Sequence, residues 1–288
     1  MDDYLDSSKT TDEAMRRATA VNKALSSGDF HLNHWVSNDA RLLEQLSLPD
    51  PKESSVNTVN LGADDAEMVL GVTWRPATDV LGFRVRLSEI NYTRAGLLSK
   101  VAGLFDPLGA AAPITVKAKI RLRHLGVKGL KWEDVVTGPD REWWESYFDT
   151  MQQLKTVEFA RCLFPDEDRI VRTELDTFVD ASEEACAAVC FIRNVYRDHR
   201  VIVRFIKAVT KLAPLKTVSV CKLELNAGLL GARLARFVES SLTRKIAARR
   251  CWTDSSTVRN WVRALSGDYQ VYVSNRIGEI QTLSDPSE

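Results

Sequence analysis

Apolar positions along the chain change period several times, and each change marks a predicted element. Residues 8–28 place Ala14, Ala18, Val21, Ala24 and Leu25 at helical spacing, with Thr10 or Thr11 as N-cap, Glu13 nearby, and Ser27-Gly28 as the stop. Residues 30–36, FHLNHWV, alternate apolar and polar side chains as a half-buried strand does. Residues 49–66 are rich in Pro, Ser, Asn and Asp and predict a loop or linker. Residues 68–87 read as two short strands around the turn formers Pro76 to Asp79. A helix from Thr93 to Leu104 is expected next, then a break at FDPLGAAAP, then helices over 114–124 and 139–154.

From Thr173 the texture turns to strands: one around ELDTFVDAS, a second over 185–192 and a third over 201–209, most simply a meander. A long helix over 221–242 shows an apolar face of Leu225, Leu229, Leu230 and Leu234. A short strand ending at Trp252-Thr253-Asp254, a helix over 256–265 and a strand over 270–274 complete the pattern. The predicted fold class is α/β: an α+β segment, a helical connection, then a mixed sheet with helices.

Composition narrows this little. The chain has 288 residues, 44% hydrophobic and 27% charged, which fits soluble globular domains, about two of them. Lys plus Arg and Asp plus Glu both number 39, so any nucleic-acid argument rests on local clusters rather than on net charge. Five cysteines without a C-x-x-C pair support neither a disulfide framework nor a zinc ribbon, and a reducing compartment fits best. No apolar run approaches the roughly 18 residues that span a bilayer, and the acidic start is unlike a signal peptide, so neither membrane nor secretion is expected.

The candidate chemistry lies in a spaced set of acids: Asp180 ending one strand, Glu224 in the first turn of the long helix, and Asp254 ending another strand. Phosphodiester hydrolysis by two divalent ions needs such a cluster, because hard cations prefer oxygen ligands and the ion pair clamps attacking and leaving oxygens. By spacing alone the three read equally well as surface charges. Gly228 and Gly231 follow Glu224 at helical spacing and would let the helix lie close to the sheet, at about 1 kcal/mol each relative to Ala.

TFVDAS at 177–182, KLELNAGLLGARLA at 222–235 and WTDSSTVRNWV at 252–262 resemble the first strand, acid-bearing helix and fourth-strand motif of RNase H domains in long-terminal-repeat retrotransposons. LSKVAGLFDPLGAAAPITVKAKI (98–120), VTKLAPLKTVSVCKLEL (209–225) and VSNRIGEIQ (273–281) resemble segments particular to Pao/BEL-type elements. The resemblance implies a Pol polyprotein piece: the end of a reverse transcriptase palm (1–48), a thumb or connection segment (49–158) and an RNase H-like domain (159–288). It implies that Asp180, Glu224 and Asp254 correspond to three of four acids binding catalytic Mg2+. The fourth is expected in an Asn-Pro-Ala-Asp-like motif that this chain lacks; Glu279 is the nearby candidate and reads as a helix-surface residue. MDDYLDS resembles the Y-x-D-D hairpin of reverse transcriptases, with Asp2 and Asp3 as the metal-holding pair and a strand from about Tyr4. An RNA–DNA hybrid, or other nucleic acid, and the rest of the polyprotein are the implied partners, in an intracellular retroelement particle.

Two further features bear on function. Lys117, Lys119, Arg121, Arg123, Lys128 and Lys131 share residues 107–132 with no acid, and Arg233, Arg236, Arg244, Lys245, Arg249 and Arg250 share 233–250 with Glu239. Such stripes track phosphate backbones or are solvated helix faces, and Lys117, Lys119, Arg121 and Arg123 are the candidate nucleic-acid contacts. Trp143, Trp144, Tyr147 and Phe148 read as core rather than as base-stacking residues, His31 and His34 carry no metal assignment, and Cys186 and Cys190 are expected buried on one strand face. The readings are therefore a polymerase/RNase H fragment, a non-catalytic nucleic-acid-binding remnant, or an aspartic peptidase. The last is disfavoured because no Asp-Thr-Gly or Asp-Ser-Gly occurs: the nearest strings are Asp6-Ser7-Ser8 and Asp254-Ser255-Ser256.

Overall fold

A computed structural model describes residues 4–30, 32, 35–46, 67–69, 72–264 and 266–288. The chain divides into two compact units, Met1–Gly82 and Phe83–Glu288.

In the first unit, α1 (Thr11–Ser26) starts where Thr10 accepts a hydrogen bond from the Glu13 amide. It ends in a turn through the left-handed Asp29, and the Phe30 amide bonds the Leu25 carbonyl. This is why the alternation at 30–36 does not become a strand in its described members: Phe30 belongs to the helix end. His31 and His34 lie outside the described residues, as do Asp2, Asp3 and the 49–66 linker, and Tyr4 to Ser8 form no strand. After α2 (Ala40–Leu46), strands β1 (Glu67–Val69), β2 (Val72–Arg75) and β3 (Val80–Gly82) pair antiparallel, and the β2–β3 turn is the expected Pro76 to Asp79. Asp79 adopts φ 53° there and its carboxylate accepts from Trp74 Nε1 at 3.0 Å.

The second unit opens with three helices: α3 (Arg94–Ala102), capped by Thr93; α4 (Ala112–Val127); and α5 (Gly138–Gln152). Their apolar faces enclose one core of Leu97, Val101, Leu122, Leu125, Trp144 and Met151. Trp144, Tyr147 and Phe148 are buried in it, as packing demands of adjacent aromatics on one helix. The expected break before α4 is a turn with a purpose. The Asp106 carboxylate accepts from the Ala110 and Ala111 amides at 2.9 and 2.8 Å, capping a helix whose N-cap alanine cannot. The same turn lies along the sheet: the Ala208 amide bonds the Leu108 carbonyl, and Gly109, at φ 77°, leaves no room for a Cβ against the Ala208 backbone.

After the short β4 (Glu158–Ala160), β5 (Ile170–Ala181), β6 (Ala185–Tyr196) and β7 (Val201–Leu212) form the predicted meander, each longer than expected. The long helix α6 (Val220–Ser241) crosses back, so that β8 (Ala248–Trp252) pairs parallel to β5, giving the order β7-β6-β5-β8. Leu234, Ala235 and Val238 of α6 pack on Leu175, Ala188, Cys190 and Ile192; Cys186 and Cys190 are both buried on this face. Gly231 meets β5 so closely that a Cβ would collide with Val179 Cγ1. Gly228 instead faces Val258 and Ile280 at ordinary contact distance, so only one of the two helix glycines serves the sheet.

The chain ends with α7 (Ser256–Arg263) and α8 (Val271–Leu283). The strand expected over 270–274 is thus the start of a helix. Val271 and Val273 favour extended backbone locally, but Val273, Ile277 and Ile280 recur at i, i+4 and i+7 and pack on Leu225, Leu229 and Ala232 of α6. Tertiary burial overrides a propensity difference of under about 1 kcal/mol.

Gly231→Ala should lower unfolding free energy by about 1–3 kcal/mol through overpacking against Val179. Gly228→Ala should be neutral or stabilising by up to about 1 kcal/mol. Urea denaturation of the two variants checks the contrast, and equal effects would contradict this account of the helix–sheet contact.

Candidate active site and nucleic-acid interface

Asp180 is the penultimate residue of β5, exposed, with its carboxylate accepting from the Ala181 amide at 2.7 Å. The parallel register pairs Phe178 with Trp252, so Asp180 and Asp254 each lie two residues beyond one registered pair, off the same end of the sheet. Glu224 is the fifth residue of α6, because the helix begins one residue earlier than expected from sequence. Ser255, the N-cap of α7, accepts from the Val258 amide and donates its hydroxyl to Glu224 Oε2. The residue next to Asp254 therefore holds the Glu224 carboxylate directly. At the other flank, Leu223 packs with Cys186 and Ala181, and the Cys186 thiol donates to the Leu223 carbonyl at 3.5 Å. The fold thus brings Asp180, Glu224 and Asp254 to one end of one sheet. Carboxylate oxygens are the donor chemistry a hard divalent cation takes. As placed, no three His, Cys, Asp or Glu side chains among the described residues are grouped to hold a metal ion. The acids are gathered but not closed around an ion.

Glu279 lies on α8 in a bidentate pair with Arg233 at 2.6 and 2.9 Å, and that guanidinium lowers its pKa. It is a surface residue, as its sequence context indicates.

The basic stripe on α4 divides. Lys117 and Lys119 are exposed and have no ion-pair partner among the described residues. Arg121 pairs with Asp140 at 2.6 Å, where Lys128 also binds, and its guanidinium lies 5.2 Å from the Trp143 ring centre. Arg123 donates to the Ala213 carbonyl at 2.8 Å, tying α4 to the end of β7. Two of the four candidate contacts are therefore free for a ligand and two fasten the helix in place. In the second stripe, Arg233, Arg236, Arg244, Arg249 and Arg250 all pair with carboxylates.

One charged site escaped the sequence reading. Glu174 of β5 is buried, its side chain 2% exposed, under the guanidinia of Arg250 (2.6 Å), Arg172 (2.6 Å) and Arg193 (2.7 Å). Hydrogen bonds from Arg250, with Arg193 and the nearby charges, pull its pKa to about 2 against the opposing effect of burial. Asp176 sits next on that face, accepting from Trp252 Nε1 at 3.1 Å with Arg250 3.7 Å away. The available signal was Glu174, Asp176 and Asp180 at alternate positions of one predicted strand, which places three acids on a single face.

Because its folded pKa is depressed, Glu174 stabilises the fold above its unfolded value, and that contribution is lost as pH falls from about 4.5 toward about 2. Glu174→Gln should lower stability at pH 7 by about 2–4 kcal/mol, leaving three guanidinia without their buried partner, and should flatten the acid limb of stability against pH. Thermal unfolding at several pH values reads both effects.

Residues 93–255 match the family model described as "Pao retrotransposon-like RNaseH-like domain". No curated protein matches the chain. Among solved structures, one similar chain is that of a foamy viral protease-reverse transcriptase in complex with double-stranded DNA, at 11% identity and a TM-score of 0.44. That alignment covers 75% of this chain and 35% of the viral one. The matched segment runs from the Thr93 cap of α3 through Ser255, the residue that ties Glu224 to the end of β8, and so takes in more than half of the sequence: the chain belongs to the Pao retrotransposon-like RNaseH-like domain family.

Proposed function

We propose that this chain carries the RNase H-type activity of a retroelement Pol protein, cutting the RNA strand of an RNA–DNA hybrid at the sheet end where Asp180, Glu224 and Asp254 meet. The observation that supports it most is the equal two-residue offset of Asp180 and Asp254 from a registered parallel pair, with Glu224 held by the hydroxyl of Ser255. In this reading the three carboxylates would hold Mg2+, which would supply the activation of water and the stabilisation of the leaving oxygen. Ser255 orients Glu224, and the exposed Asp180 and Asp254 leave the strand ends open to a duplex. Lys117 and Lys119 are proposed as phosphate contacts along α4, and the remainder of a polyprotein, including the polymerase centre, as the partner. Asp2 and Asp3, the proposed polymerase pair, lie outside the described residues.

A second reading is a nucleic-acid-binding domain without cleavage, favoured by the absence of a closed metal-ligand group among the described residues. A labelled RNA–DNA hybrid separates the two. Under the first reading, Mg2+ supports cleavage that Asp180→Asn, Glu224→Gln and Asp254→Asn each lower at least about 100-fold, while Glu279→Gln leaves it unchanged. Hybrid binding without cleavage in the wild type supports the second.

Binding should weaken as salt rises, and Lys117→Glu with Lys119→Glu should reduce the slope of log affinity on log salt by about one per lost phosphate contact. An unchanged slope would remove α4 from the interface.

A further inference from the structure

Thr177 and Val179 face Gly231 of α6, so their neighbours Glu174, Asp176 and Phe178 lie on the opposite face of the sheet. That face carries a continuous run of aromatic rings. Phe159 meets Phe205 at 5.7 Å between centroids, Phe205 meets Phe191 at 6.0 Å, Phe191 meets Phe178 at 6.0 Å, and Phe178 stacks on Trp252 at 5.9 Å with an 11° interplanar angle. The run ends in the open: Phe178 is 44% and Trp252 49% exposed. Two large rings held parallel in water on neighbouring strands leave apolar area unburied that folding alone has no reason to expose. Trp252 is also fixed in place, since its indole N–H donates to Asp176.

The charge around the rings completes a pattern. Glu174 is 2% and Asp176 12% exposed, whereas the side chains of Arg172, Arg193 and Arg250 are 49%, 35% and 36% exposed. The carboxylates lie beneath and the guanidinia above, so the surface presented beside the aromatic pair is cationic. We propose that this face, centred on Trp252 and Phe178 and rimmed by Arg172, Arg193 and Arg250, binds single-stranded nucleic acid. Unpaired bases stack on the fixed indole and the phosphates lie along the guanidinia. Paired bases in a duplex keep their faces against one another and cannot use such a platform, which makes this a different ligand from the hybrid of the proposed cleavage site. The inference stands on the ring geometry and the buried carboxylates, not on the three acids.

The test uses the whole chain and a 12-nucleotide single strand carrying one 2-aminopurine, whose fluorescence falls on stacking. Wild type should bind it at low salt with quenching. Trp252→Ala should weaken binding about 10-fold or more and abolish the quench. Trp252→Phe loses the bond to Asp176 but keeps a ring and should stay within about 3-fold, and Phe178→Leu should fall between the two. Circular dichroism shows which variants are folded, and the two milder substitutions carry the test if the alanine variant is not. Unchanged affinity and quenching in the folded Trp252 and Phe178 variants would overturn the proposal. So would a concentration-dependent dimer that Trp252→Ala dissociates without altering single-strand binding, which would assign the face to a second copy of the chain. No binding of the single strand by wild type overturns it as well. Retained hybrid binding in that case leaves the proposed function standing, and loss of both removes the two together.

Discussion

The approach of α6 to β5 at Gly231 sets the position of everything that follows it. With hydrogen as its side chain the helix axis can settle against Thr177 and Val179 until Leu234, Ala235 and Val238 reach the far strands. A methyl group at that point would lift the helix off the sheet and tilt it. Both ends of α6 respond to this contact. At its start, Leu223 and Ala227 wedge against Cys186 and Ala181, which fixes Glu224 beside the strand ends. Along its outer face Leu225, Leu229 and Ala232 take up α7 and α8, and Ser255 at the head of α7 closes back on Glu224. One small residue therefore governs where Glu224, the fifth residue of the helix, sits beside the strand ends that carry Asp180 and Asp254.

The sheet divides its labour by face. Toward α6 it is apolar, with Leu175, Ala188, Cys190 and Ile192 buried. Away from α6 it carries Glu174 and Asp176 under three arginines and then the aromatic run. Burying a carboxylate is unfavourable unless its charge is matched and its oxygens are hydrogen-bonded, and Glu174 has guanidinium donors on both oxygens. The arrangement joins three strands: Arg172 and Glu174 on β5, Arg193 on β6 and Arg250 on β8. It pins β8, which the chain joins to the meander through the crossover of α6, against β5.

Much of this was legible in the sequence where local pattern and tertiary demand agree. The Thr10 cap, the helix opening at Thr93, the Pro76 to Asp79 turn, the buried Trp144 and the meander all follow from residue type and spacing. The end of the chain was misread because Val271-Tyr272-Val273 has the composition of a strand, while the deciding fact, the apolar face of Leu225, Leu229 and Ala232 on α6, lies far back along the chain and out of local view. The division of the α4 stripe is hidden from sequence for the same reason. Arg121 and Arg123 look like Lys117 and Lys119 in sequence, and only the fold supplies Asp140 and the Ala213 carbonyl as their partners. The candidate acids Asp180, Glu224 and Asp254 were proposed from motif, and their placement toward one sheet end rests on the parallel register of β8.

That register explains why two of the three acids come as a pair. Parallel neighbours run in the same direction, so equal offsets from a registered pair bring side chains off the same end without any further specification. An antiparallel β8 would have sent Asp254 to the opposite end. The third acid comes from a helix, and the crossover that makes β8 parallel is what supplies α6 there. The connection demanded by topology and the placement of Glu224 are thus one structural feature, and a substitution that alters the path of α6 acts on the sheet order and on the acid set together.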